Sequence, residues 1–136
     1  MLINLTNHPV KGVFNPEKKE YQNAWSLEQI NAAIELFDEI VELPFPKIPA
    51  NWSTFEVKTL AQEYCNRCIA IMKSPSLRNA VHIGGETMFC YYFISFLMKE
   101  GYQVISSTSE RDVEELGKNS SIKKFKFIRF RQYVSI

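Results

Sequence analysis

A run of hydroxyl-bearing residues that ends in an arginine has the types and spacing to bind an anion. Residues 106–111 read Ser-Ser-Thr-Ser-Glu-Arg and follow the apolar run Gln103-Val104-Ile105. Hydroxyls donate hydrogen bonds, and a guanidinium donates in a fixed fork that matches phosphate oxygens. The pattern predicts a phosphate-binding turn with three donors: Thr108, Ser109 and Arg111. The alternative is that Arg111 pairs with Glu114 or Glu115 at the surface while the hydroxyls cap a following helix.

Two further polar turns follow apolar runs that have the pattern of strands. Asn7 and His8 come after the run at 2–5, and Gly84-Gly85-Glu86-Thr87 comes after the run at 80–83. An imidazole can give a proton to a leaving oxygen near neutral pH, although His8 could also be an ordinary hydrogen-bonded loop residue. Glycines admit a ligand close to the backbone, and the free amides of a helix start attract anions.

Glu86 allows two interpretations that stay open at this point. Its charge repels phosphate, so as a ligand contact it would hold a ribose hydroxyl or the edge of a base. As a structural residue it is an acid in the favourable position at the start of a helix. His82 lies inside the third apolar run and is expected to be a hydrogen-bonded core residue.

The elements that position these turns alternate between strand and helix. Apolar runs predict strands at residues 2–5, 39–43, 80–83, 102–106 and 125–133. Periodic apolar stripes predict helices at residues 26–37, 53–72 and 86–100, and a short helix at 112–116 before a polar turn at 117–121. The first two long helices begin with capping-box patterns at Ser26 and Ser53.

This alternation favours an α/β fold with a mostly parallel sheet of about five strands and helices on both faces. The last strand follows the fourth without a long helix, which leaves it free to be an antiparallel edge. In such a sheet all three turns open onto one edge, where open α/β sheets bind ligands. We expect residues 1–136 to form a single domain, with residues 10–25 as a long loop or lid.

Composition and charge narrow the classes of partner. The net charge of +1 argues against wide binding of duplex nucleic acid. The longest apolar-rich segment, residues 87–98, is too short to span a bilayer, and no signal peptide is visible.

Cys65-x-x-Cys68 lacks the further ligands of a zinc site, so we expect reduced packing thiols, no metal, no cofactor and a cytoplasmic protein. The third helix is apolar nearly all round, which predicts a subunit interface.

The end of the chain mixes basic and aromatic residues from Lys123 to Tyr133. That mixture suits a single-stranded nucleic acid or a nucleotide, and it equally suits an edge strand protected by charge. The alternation of apolar residues changes face near Phe127, which predicts a β-bulge.

Five short motifs occur in a characteristic order along the chain: Asn7-His8-Pro9, Val41-Glu42-Leu43-Pro44, Gly84-Gly85-Glu86, Ser107-Thr108-Ser109-Glu110-Arg111 and Phe127-Ile128-Arg129-Phe130-Arg131-Gln132-Tyr133. The set resembles the small stand-alone CRISPR-associated proteins that have a Rossmann-like fold of the CARF type. The resemblance implies a homodimer that binds a cyclic oligoadenylate, a second messenger of type III CRISPR immunity, across its two-fold axis. Some such proteins cleave the ring and are called ring nucleases.

The resemblance also implies roles for the residues that match its motifs. Thr108, Ser109 and Arg111 would contact phosphates, and the two turns after the other strands would line the same pocket through Asn7, Gly84, Gly85, Glu86 and Thr87. Cleavage would need no metal, because a ribose 2′-hydroxyl aligned with the adjacent phosphate can attack it. His8 and Arg111 would then be catalytic, His8 assisting the leaving oxygen and Arg111 stabilising the developing charge.

Three other functions remain open on the sequence. The first is a binder that holds the ring without cleaving it, as a sink or a sensor. The second is a nucleoside glycosidase or transferase with Glu86 at the sugar. The third is a structural interaction module that binds no nucleotide.

Overall fold

A five-stranded sheet with helices on both faces forms the body of the described chain. The computed structural model describes residues 1–115, 117 and 121–136, and of residues 112–115 and 121–124 the backbone only. The strands are β1 Leu2–Thr6, β2 Val13–Asn15, β3 Glu20–Gln22, β4 Ile40–Glu42, β5 Ala80–Gly84, β6 Gln103–Glu115 and β7 Ser121–Gln132. The helices are α1 Leu27–Phe37, α2 Thr54–Met72 and α3 Thr87–Lys99.

The sheet has the strand order β4-β1-β5-β6-β7, and its neighbours are parallel except for the last pair. The predicted α/β fold, with an antiparallel last strand, is therefore confirmed and is that of a Rossmann-like domain. The chain winds from β1 outward to β4 and then returns past β1 to form β5. The winding reverses between β1 and β5, and this switch point is where open α/β sheets bind ligands.

The two faces of the sheet pack against different helices. α2 and α3 cover the face that carries Ile3 and Val81, and α1 covers the face that carries Leu2 and Ala80. Towards the carboxyl ends of the strands, the α1 face becomes polar. The buried polar residues there are Asn4, Thr6 and His82.

Serine side chains cap the first two helices, but of the two predicted capping boxes only the one at Ser53 has both of its hydrogen bonds. The Ser26 and Ser53 hydroxyls accept hydrogen bonds from the backbone N–H groups of Gln29 and Glu56, at 3.2 and 3.3 Å. The Glu56 carboxylate accepts a bond from the Ser53 backbone N–H at 3.1 Å, which completes a capping box. These bonds satisfy amides that the helix itself leaves free.

Residues 106–111 belong to strand β6, and the prediction of a turn there is wrong. Residues 103–105 pair with β5, and β6 then continues because β7 returns beside it in antiparallel pairing. The helix predicted at 112–116 is also wrong for 112–115, which are the end of β6, while Leu116 lies outside the described residues. Most of the turn predicted at 117–121 lies outside them as well.

A β-bulge interrupts the pairing of β6 with β7, as the sequence predicts. The register shifts between Thr108 and Ser109, and Ile128 of β7 is the extra residue. The shift lets Phe127 and Phe130 share one face, with ring centroids 5.1 Å apart.

Residues 10–25 contain the short hairpin β2–β3 where a loop was predicted. The Trp25 backbone N–H donates to the Val10 carbonyl at 3.1 Å and closes the base of the hairpin. Gly12 has φ +82°, and a Cβ there would lie 2.3 Å from the Gln22 carbonyl oxygen, so the turn requires glycine.

Helix α3 buries one stripe of apolar side chains and leaves a second, outer stripe exposed. Phe89 and Phe93 are fully buried, whereas Met88 and Tyr91 are 41% and 66% exposed. A subunit interface on α3 stays a prediction, and this outer stripe is where it would lie. Neither α3 nor any other helix within the described ranges is long and apolar enough to cross a membrane.

The cysteine pair on α2 packs in the core, as expected of free thiols. Cys65 and Cys68 are fully buried and unpaired by any disulfide. Burial raises the pKa of Cys65 to about 11 and that of Cys68 to about 12, so both stay protonated and unreactive near neutral pH.

Candidate functional site

The carboxyl ends of β1 and β5 lie side by side at the switch point of the sheet. Thr6 and Gly84, the last residues of these strands, are register partners. Two of the three predicted turns continue directly from them and are exposed. The structure therefore brings together six of the predicted site residues: Asn7, His8, Gly84, Gly85, Glu86 and Thr87.

The third predicted group lies on β6, where that strand pairs with β7. His82 of β5 pairs with Ile105, and Arg111 is six residues beyond it. At 3.3 Å per residue the strand carries Arg111 about 20 Å from that pair. Thr108 donates its hydroxyl to the Arg129 carbonyl at 3.2 Å, within the strand pair itself. Thr108, Ser109 and Arg111 thus lie on a strand that β5 separates from β1, the strand that precedes His8.

Three buried polar side chains form a hydrogen-bonded network behind the exposed His8. Asn4 Oδ1 accepts from the Thr6 hydroxyl at 3.0 Å and lies 3.0 Å from His82 Nδ1. Asn4 Nδ2 donates to the His8 carbonyl at 3.0 Å and to the Glu42 carboxylate at 3.1 Å. Because an amide oxygen only accepts, His82 carries its proton on Nδ1.

Buried side chains hold the backbone of His8 by hydrogen bonds, while the residue itself is exposed to solvent. Its N–H donates to the Thr6 hydroxyl oxygen at 3.0 Å. Its carbonyl accepts from the Trp25 indole N–H at 2.8 Å and from Asn4 Nδ2 at 3.0 Å. A loop residue fixed in this way can present an acid–base group in a defined place.

His82 is neutral at physiological pH. Burial lowers the pKa of His82 to about 4, and the neighbouring His8 adds to the effect. The His82 ring lies edge-on to Trp25 at 5.1 Å and to Phe130 at 5.6 Å, measured between ring centroids. The prediction of a hydrogen-bonded core histidine is confirmed.

The glycine turn before α3 is filled by groups of the protein itself. A Cβ on Gly85 would lie 2.4 Å from Cζ of Phe45, so an aromatic ring approaches this backbone. The Glu86 carboxylate accepts from the backbone N–H groups of Met88 and Phe89, at 3.1 and 2.7 Å. The Glu86 carboxylate is therefore hydrogen-bonded to amides that were expected to attract an anion. Its interpretation as an acid that stabilises the start of α3 is confirmed.

Comparison of the sequence with protein-family models gives a match over residues 1–131. The chain belongs to the Uncharacterized protein MJ1673 family. The match includes both turns at the switch point, all of β6 and all but the last residue of β7. Comparisons with curated proteins and with solved structures give no match.

The sequence patterns did not predict several residues of the site. Asn4, Trp25 and Glu42 were not among the predicted site residues, although Asn4 interrupts an otherwise apolar strand. Glu42 also accepts from the Val10 N–H at 2.8 Å, which ties the end of β4 to the loop after β1. The polar residue inside β1 was the one signal that pointed to this network.

Two open depressions lie on the surface, and neither is lined by Asn7, His8 or residues 84–87. One, of about 230 Å³, is lined by residues of α2 and the segment before it, including Trp52 and Phe55. The other, of about 550 Å³, lies on the β2–β3 hairpin and includes Val13 and Gln22. Among the residues that the structure describes, no three His, Cys, Asp or Glu side chains converge to hold a metal ion.

Proposed function

We propose that this protein binds a cyclic oligoadenylate at the edge between β1 and β5 and cleaves it without a metal. The observation that carries the proposal is the pairing of Thr6 with Gly84, which joins the Asn7-His8 turn to the turn before α3 at the switch point. Nucleotides bind at this place in open α/β sheets, and an exposed, backbone-fixed histidine stands there.

The cleavage step is an in-line transfer within the ligand. A ribose 2′-hydroxyl attacks the adjacent phosphorus and releases its proton to solvent water, and the bond from phosphorus to the 5′-oxygen breaks. His8 gives a proton to the departing 5′-oxygen, so the products have a 2′,3′-cyclic phosphate and a 5′-hydroxyl. The pocket contributes mainly by holding the attacking oxygen in line.

Arg111 contacts a different part of the ring in this proposal. Arg111 lies about 20 Å along β6 from the pair of His82 with Ile105, so we assign it to a phosphate other than the one next to His8. A homodimer with the ring on its two-fold axis supplies further phosphates, which the Arg111 guanidinium would neutralise.

A binder without turnover is the second candidate. The placement of Arg111 on β6, which β5 separates from β1, favours it, because no guanidinium is then assigned to the reacting phosphate. A glycosidase is less well supported, since the Glu86 carboxylate already accepts two backbone N–H groups.

The test is incubation of the purified protein in EDTA with cyclic tri-, tetra- and hexa-adenylate, followed by chromatography of the products. Linear products with a 2′,3′-cyclic phosphate support the proposal, and His8→Gln should then lower the rate about 100-fold or more. Intact rings that raise the melting temperature identify a binder, and release of free adenine identifies a glycosidase. Intact rings without a thermal shift discard the proposal.

Arg111→Ala gives a separate check on ring binding, with Arg67→Ala on α2 as the control of equal charge. We expect Arg111→Ala to weaken binding of the ring about tenfold or more, because a charge-assisted contact to phosphate is lost. Wild-type affinity in Arg111→Ala would remove Arg111 from the site.

A further inference from the structure

Trp25 is the buried residue that makes the shortest hydrogen bond to the backbone of His8. Its indole N–H donates to the His8 carbonyl at 2.8 Å. The side chain is only 6% exposed, and its ring lies against His82 at 5.1 Å and Phe130 at 6.3 Å. The Trp25 backbone N–H donates to Val10 at 3.1 Å. Core packing and the hairpin base therefore fix the direction in which the indole N–H points.

Asn4 makes the second contact to the same carbonyl and is itself oriented. Its oxygen faces the Thr6 hydroxyl and His82 Nδ1, each at 3.0 Å. Its amide nitrogen must then face the His8 carbonyl and Glu42. Two buried N–H groups thus converge on one carbonyl of an exposed residue, and the Thr6 hydroxyl also lies 3.1 Å from it.

From this geometry we infer that Trp25 is a positioning residue for His8, with Asn4 as its second support. The inference rests on the proposed function, in which His8 gives a proton to the leaving oxygen. Trp25 touches no substrate. It holds the His8 backbone so that the imidazole stays where the departing oxygen forms, and a misplacement of about 1 Å can cost about 100-fold in rate.

The test compares Trp25→Phe with Trp52→Phe, the matching change at the other tryptophan. Trp25→Phe keeps an aromatic ring against His82 and removes the N–H. We expect kcat for ring cleavage to fall about 10- to 100-fold while KM stays within about twofold, because the lost contact acts on the proton donor. Trp52→Phe, which changes the depression near α2, should leave both constants unchanged.

A second measurement does not depend on cleavage. The carbonyl ¹³C resonance of His8 should shift in Trp25→Phe and stay in place in Trp52→Phe, because the carbonyl loses a hydrogen-bond donor. In the wild-type protein the indole proton of Trp25 should exchange with solvent at least tenfold more slowly than that of Trp52. This exchange needs no variant, so it applies even where Trp25→Phe fails to fold.

The outcomes separate the two proposals. A kcat of Trp25→Phe within twofold of wild type, or a change in KM alone, overturns the positioning role. If the wild-type protein cleaves none of the rings, the proposed function falls, and the positioning role is decided by the carbonyl resonance and the indole exchange. An unmoved His8 resonance or a fast Trp25 indole proton overturns it.

Discussion

His82 links the stability of this protein to pH through a single buried side chain. Its pKa is about 4 in the folded protein because of burial, against 6.5 for an ordinary histidine. Between these values the unfolded chain binds a proton at His82 that the folded chain does not bind, so stability falls as the pH drops from 6.5 to about 4. The full loss is about 3 kcal/mol, since one pKa unit corresponds to about 1.4 kcal/mol.

Urea unfolding at several pH values measures this effect. In His82→Gln the free energy of unfolding should fall less steeply over the same window, because the titrating group is gone. His8→Gln, which removes the smaller of the two causes, should lessen the slope far less than His82→Gln does. Equal slopes in all three proteins would contradict the assignment to His82.

The turn before α3 requires glycine at position 85. Gly85→Ala places a methyl group against the Phe45 ring, which itself packs on Phe89 at 5.0 Å. We expect a loss of about 1–3 kcal/mol in unfolding free energy, as for other overpacked sites. Gly84→Ala is the matched control, because its Cβ would make ordinary contact with Thr6 at 3.6 Å and should cost less than about 1 kcal/mol.

At the scale of elements, local signals were predictable and distant pairings were not. Ser53 and Glu56 lie three residues apart, so their capping box could be read directly from the sequence. Residues 106–111 were interpreted as a turn because hydroxyl-rich segments often are turns. Their strand partner, β7, is distant in the sequence, and that pairing overrides the local preference.

The capping box at Ser53 sets a measurable share of the stability of α2. Ser53→Ala removes the acceptor for the Glu56 backbone N–H and should destabilise the protein by about 1 kcal/mol. Ser95→Ala, inside α3, is the comparison, because its hydroxyl donates to a carbonyl four residues earlier and the change should be near neutral. Chemical denaturation of both variants gives the difference, and an equal loss would count against the cap.

At the scale of the whole molecule, the site joins residues that are far apart in sequence. Asn4 and His82 are separated by 78 positions and meet because β1 and β5 are parallel neighbours. The sheet edge and its two turns were predictable from the alternation of strands and helices. The buried network was not, since polar side chains inside apolar strands reveal a partner only once the strand order is known.

The proposed homodimer is also tested at this scale. We expect Tyr91→Glu, on the outer stripe of α3, to convert a dimer into a monomer, because a buried unpaired charge opposes association. Tyr21→Glu on the β2–β3 hairpin is the control, since Tyr21 is similarly exposed at 58%. Light scattering after size-exclusion chromatography measures the mass, and a dimer that survives Tyr91→Glu rules out the α3 interface.

The packing of Trp25 between the hairpin base and His82 has a spectroscopic consequence. The chain has two tryptophans, so a Trp52→Phe protein emits from Trp25 alone. Buried in the core, Trp25 should emit at short wavelength, and any molecule that displaces the His8 turn should change that emission without an attached dye. Trp25 is therefore an intrinsic fluorescent reporter that is hydrogen-bonded to His8, the residue on whose position the proposed reaction depends.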